Sequence, residues 1–67
     1  MLRLKINGDF QVFEHVSTLA DLSDALSLAN RPIAIEHNGN IVPKSRYATL
    51  KLADQDELEI VSAMGGG

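Results

Sequence analysis

Few side chains here have the chemistry that catalysis needs. The only histidines, His15 and His37, each stand alone in an alternating stretch. A metal ligand or general base needs convergent partners, so both read as ordinary surface or half-buried histidines. Asp54, Asp56, Glu57 and Glu59 gather acid late in the chain. They lack the twelve-residue calcium loop with its central glycine and closing glutamate. A solvated turn and strand face is the expected role, with partner docking as the alternative. Lys44 and Arg46 make at most a small basic spot, and the Asn-Gly turns do not form a P-loop. The pattern is not that of an autonomous enzyme.

The remaining candidate is the backbone at the end of the chain, Ser62-Ala63-Met64-Gly65-Gly66-Gly67. Glycine is costly to order and has no side chain to pack, so three in succession add little to folding. Such an end is either a flexible terminus or expression remnant, or a thread meant for another protein. The second reading is favoured because the tail directly follows a strand. Extended, residues 63–67 reach roughly 17 Å. Without Cβ atoms, the glycines fit a channel too narrow for other residues. A carboxylate on Gly67, delivered in this way, would be open to activation by an enzyme that holds a nucleotide.

The rest of the chain must position that end. Leu2, Leu4 and Ile6 alternate with Arg3 and Lys5, as in a half-buried strand. Asn7-Gly8-Asp9 signals a tight hairpin. Beyond it Phe10 and Val12 share one face, with Gln11, Phe13 and His15 on the other. Thr18 and Asp21 have capping-box spacing. Leu19, Leu22, Leu26 and Ala29 then fall on one stripe with Ala25 beside them, and Asp21, Ser23, Asp24 and Ser27 take the wet side. The spacing predicts a helix over 18–29, with Asn30 as a left-handed cap and Pro32 as a stop.

Residues 33–37 alternate again, and Asn38-Gly39-Asn40 turns them into a short edge strand, Ile41-Val42, ended by Pro43. Lys44 to Thr49 reads as a loop or a single helical turn. Leu50 and Leu52 precede the turn Ala53-Asp54-Gln55-Asp56, and Glu57 to Val61 forms the last strand. A hairpin, one helix and further strands give an α+β fold. It is a mixed sheet of about five strands packed on one helix, the ubiquitin-like β-grasp. Residues 1–62 form the domain and 63–67 a flexible glycine tail. One sheet face stays free for partners.

Composition bounds the chain to one small, mildly acidic domain. The 67 residues suit one core, 45% are hydrophobic and only 4% aromatic, so aliphatic side chains must fill it. A chain of this size buries about 60% of the surface it exposes when unfolded. Cysteine is absent, which excludes disulfides, thiolate metal sites and a cysteine nucleophile. A net charge of −3 without a basic stripe argues against nucleic acid. No apolar run approaches the ~18 residues of a membrane span, and the charged N-terminal strand is no signal peptide. A cytoplasmic location is expected.

In order, these residues resemble the ThiS family, the small sulfur carriers of thiamine biosynthesis. The resemblance runs through Ile6-Asn7-Gly8, Thr18-Leu19 with Leu22 and Leu26, Ile35, Asn38, and Ile41-Val42-Pro43-Lys44. It continues through Leu52-Ala53-Asp54-Gln55-Asp56 and Leu58-Glu59-Ile60-Val61 to Gly66-Gly67. The family has glycine where this chain has Gln55, which bears on the shape of that turn. The resemblance implies a carrier that an adenylyltransferase of the ThiF type activates at the Gly67 carboxylate, using ATP and magnesium at the partner's site. Cysteine-derived sulfur then leaves a thiocarboxylate, and thiazole synthase of the ThiG type takes up the sulfur. Gly65, Gly66 and Gly67 would thread the partner's active site. Ile60, Val61 and Met64 are the candidate partner surface, with packing against the core the alternative for each. A molybdopterin-type carrier shares the fold and the glycine end but is usually longer. A ubiquitin-like modifier would instead join Gly67 to lysines.

Overall fold

The computed structural model describes residues 1–62. Strand β1 (Leu2–Ile6) turns through Asn7-Gly8 into β2 (Asp9–Phe13). Helix α1 (Leu19–Ala25) follows, then β3 (Ile33–His37), β4 (Asn40–Val42), a 3-10 turn at Lys44–Arg46, and β5 (Glu57–Ser62). The five strands form one sheet in the order β2-β1-β5-β3-β4. β5 lies at its centre, parallel to β1 and antiparallel to β3. This is the mixed β-grasp sheet that the alternation and element order imply.

The register fixes which side chains share a face. Leu4 lies opposite Gln11 and Leu2 opposite Phe13, so the packed face of β2 carries Phe13. Ile6 pairs with Leu58, and Ile35 with both Ile60 and Val42. Leu4, Ile6, Leu19, Leu22, Ile35, Val42, Leu52 and Leu58 make an aliphatic core, joined by Tyr47. Burial of Tyr47 pushes its phenol pKa up.

The helix begins where its cap residues imply. Asp21 N–H donates to Thr18 Oγ1 at 3.2 Å, and the Asp21 carboxylate accepts from Thr18 N–H at 3.0 Å. Two more N–H groups of the first turn are satisfied by carbonyls far along the chain. Leu19 donates to Leu50 and Ala20 to Tyr47.

The far end differs from expectation: the helix stops at Ala25 rather than reaching residue 29. Leu28 N–H bonds to the Ser23 carbonyl and Ser27 N–H to that of Asp24, the paired bonds of a Schellman cap. Ser27 takes the left-handed position at φ 57°, a place usually held by glycine. Asn30 is also left-handed, at φ 68°, but in the turn that follows. Ala25 and Ala29 are therefore exposed, while Ser23, expected on the wet side, is buried.

Candidate functional site

Both Asn-Gly turns have positive φ at both positions: 49° and 90° at Asn7-Gly8, 49° and 92° at Asn38-Gly39. A two-residue type I′ hairpin requires this, and it suits the right-handed twist of the sheet. Each asparagine also does something that the turn does not need. Asn7 Oδ1 accepts from Ile60 N–H at 2.7 Å, and Asn7 Nδ2 donates to the Ile60 carbonyl at 3.1 Å. Asn38 Oδ1 accepts from Glu57 N–H at 2.8 Å. The central strand is thus clasped by side chains from both hairpins, one near its start and one near its end.

The face opposite α1 carries alternating charge and apolar surface. Arg3 and Lys5 of β1 and Glu57, Glu59 and Val61 of β5 lie on it, with Phe10 and Val12 of β2 and Ile41 of β4. Phe10, Val12, Ile41 and Val61 are each roughly half exposed. The Arg3 guanidinium sits 4.0 Å from the Phe10 ring centre, which covers part of that ring while leaving both groups at the surface. Lys5 Nζ lies 3.7 Å from Glu57 Oε2, an exposed pair worth little to stability.

The candidate residues therefore separate. Val61 lies on the open face, 51% exposed. Ile60 lies on the opposite face, half-buried and packed against the core beside Ile35. The structure does not bring these two together on one surface. Met64, Gly65, Gly66 and Gly67 lie outside the described residues, as does the assignment of 63–67 to a tail.

The acidic cluster separates in the same way. Asp56 is drawn inward: its Oδ2 lies 2.7 Å from His37 Nε2 and accepts from Ala53 N–H at 2.9 Å, while Oδ1 accepts from Asn38 Nδ2 at 3.2 Å. Burial pushes its pKa up, but the bonds from Ala53, His37 and Asn38 outweigh that and hold it below the usual carboxylate range. His37 is therefore half of a structural pair linking β3 to the turn before β5. Asp54 closes the other side of that turn, accepting from Arg3 N–H at 2.8 Å, a bond that lowers its pKa. Among the described residues, no three His, Cys, Asp or Glu side chains converge as a metal site. No helix among them is long and apolar enough to cross a membrane. A depression beside Asn7 is lined by Lys5, Gly8, Glu57, Leu58 and Glu59.

The clasps escaped the sequence reading, which placed Asn7 and Asn38 in turns and in the family resemblance but gave neither a bond to β5. The recurrence of Asn-Gly after two alternating stretches was the available signal. Its second meaning depends on contacts as far as 53 residues apart.

Comparison with known proteins covers nearly all of the chain. The ThiS family model matches residues 4–67. The sulfur carrier protein ThiS of Bacillus subtilis is 37% identical over 65 residues, covering 96% of this chain and 98% of that protein. A thiazole synthase of Paramagnetospirillum magneticum is 42% identical over 66 residues, 98% of this chain, which spans only 20% of that relative's length. The crystal structure of a thiamine biosynthesis protein (ThiS) from Geobacter metallireducens superposes with a TM-score of 0.83 at 25% identity, covering 98% of this chain and 100% of that one.

Proposed function

The chain belongs to the ThiS family, and from that membership we propose that it is a sulfur carrier for thiamine biosynthesis, acted upon by enzymes rather than being one. The observation that carries this reading is the family match, which runs through the glycines to residue 67. The reacting group is the carboxylate of Gly67.

A carboxylate is a poor electrophile because it is anionic and has no good leaving group. In an adenylyltransferase of the ThiF type, one Gly67 carboxylate oxygen attacks the α-phosphorus of ATP and pyrophosphate departs. Magnesium held at the partner's site would supply charge neutralisation of the phosphate oxygens. A cysteine-derived sulfur nucleophile at the sulfide level then displaces AMP and leaves a thiocarboxylate. Its sulfur is a better nucleophile than oxygen and passes to thiazole synthase. Similarity to one-fifth of a thiazole synthase supports that last partnership.

ATP belongs to the partner in this reading. The depression beside Asn7 sets two carboxylates against one ammonium, a poor match for a polyphosphate. Gly65 and Gly66 carry Gly67 into the partner's site, and Val61 on the open face contributes to docking. The proposed site of action is the cytoplasm, where the partner would find ATP. Deleting Gly67 tests the reading: carrier-dependent ATP–pyrophosphate exchange by the adenylyltransferase should vanish while the thermal transition stays unchanged. Exchange that survives the deletion would overturn it.

A further inference from the structure

The last described hydrogen bonds between β1 and β5 run from Lys5 N–H to the Asp56 carbonyl and from Asn7 N–H to that of Leu58, both at 2.9 Å. In a parallel ladder the next two bonds would join Ile60 N–H to the Asn7 carbonyl, and the Ile60 carbonyl to the N–H two residues beyond Asn7. They are not made in that way, because β1 ends at Ile6 and the chain turns left-handed at Asn7, φ 49°. The Asn7 side chain replaces both. A primary amide has one acceptor oxygen and a donor nitrogen in the same plane, the geometry of the peptide group it stands in for. Its Oδ1 takes the Ile60 N–H and its Nδ2 the Ile60 carbonyl.

This extends the order of β5 on its β1 side past the end of β1, toward the terminus. Ile60 lies seven positions before Gly67. Each residue freed at the end of β5 adds to the stretch between the sheet and Gly67 and widens the space its carboxylate must search. Misplacement of a reacting group by about 1 Å can cost as much as ~100-fold in rate. Resting on the carrier reading above, we propose that Asn7 is a positioning residue for the terminal carboxylate. It fixes the point on the sheet from which β5 delivers Gly67 to the nucleotide, without touching nucleotide or carboxylate.

The fold contains a matched control. Asn38 occupies the same position in the same kind of turn, with the same φ of 49°, and clasps β5 at Glu57, the end away from the tail. Glycine accepts positive φ at no steric cost, so Asn7→Gly and Asn38→Gly each remove a clasp while sparing the turn. The test measures carrier-dependent ATP–pyrophosphate exchange by the adenylyltransferase, with amide hydrogen exchange at Ile60 as an independent readout. Asn7→Gly should lower kcat roughly tenfold with KM within about twofold, and speed exchange of the Ile60 amide. Asn38→Gly should leave kcat within about twofold of the parent chain even though it lowers the thermal midpoint. An unchanged kcat in Asn7→Gly, or an equal loss in both variants, overturns the positioning role. Absence of exchange with the parent chain overturns the carrier reading itself, and the positioning role with it.

Discussion

The imidazole Nε2 of His37 lies 2.7 Å from Oδ2 of Asp56, joining the end of β3 to the turn that launches β5. Asp56 also accepts from Ala53 and Asn38, so one carboxylate gathers three donors at a side chain only 13% exposed. Its charged form is what the fold uses.

A pH dependence follows from that. The folded-state pKa of Asp56 is lowered from an ordinary value of 3.8. A depressed carboxyl contributes stability that is fully present above the unfolded-state pKa, and lost as pH falls through the folded one. Asp56→Asn should therefore lower the thermal midpoint at neutral pH. Its deficit should shrink as pH drops below 3.8. Melting curves across that range check this, and a deficit that stays constant into acid would count against it.

Gln55 sits at φ 75° in the same turn, a left-handed position that favours glycine. Its N–H donates to the Arg3 carbonyl at 2.7 Å, which holds the turn against β1. A left-handed residue with a Cβ costs about 1–2 kcal/mol, partly offset by the greater unfolded-state freedom of glycine. Gln55→Gly should stabilise the domain by about 0.5–1 kcal/mol, roughly 2–8 °C in midpoint for a domain this small. A lower midpoint in the variant would refute the strain.

On the open face, Val61→Asp places a charge at a half-exposed site beside Glu59. Stability should change by no more than about 0.5 kcal/mol, as at other surface positions. If this face docks the adenylyltransferase, KM for the carrier should rise roughly tenfold, the scale of an interface hot spot. Titration of the variant in the exchange assay gives the answer, and an unchanged KM would remove Val61 from the interface.

The parts of the fold visible in the sequence are those whose causes are local. The strands announce themselves because one sheet face meets the core and the other meets water, so Leu4, Ile6 and Leu58 alternate with charged neighbours. The helix start is visible because Thr18 and Asp21 satisfy each other three residues apart. Its end is not, because a serine occupies the left-handed cap that the reading assigned to Asn30. Tyr47 is buried within a stretch that reads as polar loop, held by the bond from Ala20 N–H to its carbonyl. The faces of Ile60 and Val61 follow from pairing with β3, which the spacing of Ile60 and Val61 alone does not orient.

The central claim concerns one carboxylate, and intact-mass spectrometry reads it directly. The chain, incubated with its adenylyltransferase, ATP, magnesium and a cysteine-derived sulfur source, should gain the mass difference between one sulfur and one oxygen. The gain should map to Gly67 in the C-terminal fragment. An unchanged mass under conditions that convert a known carrier, or a gain mapped to any other residue, would contradict the account.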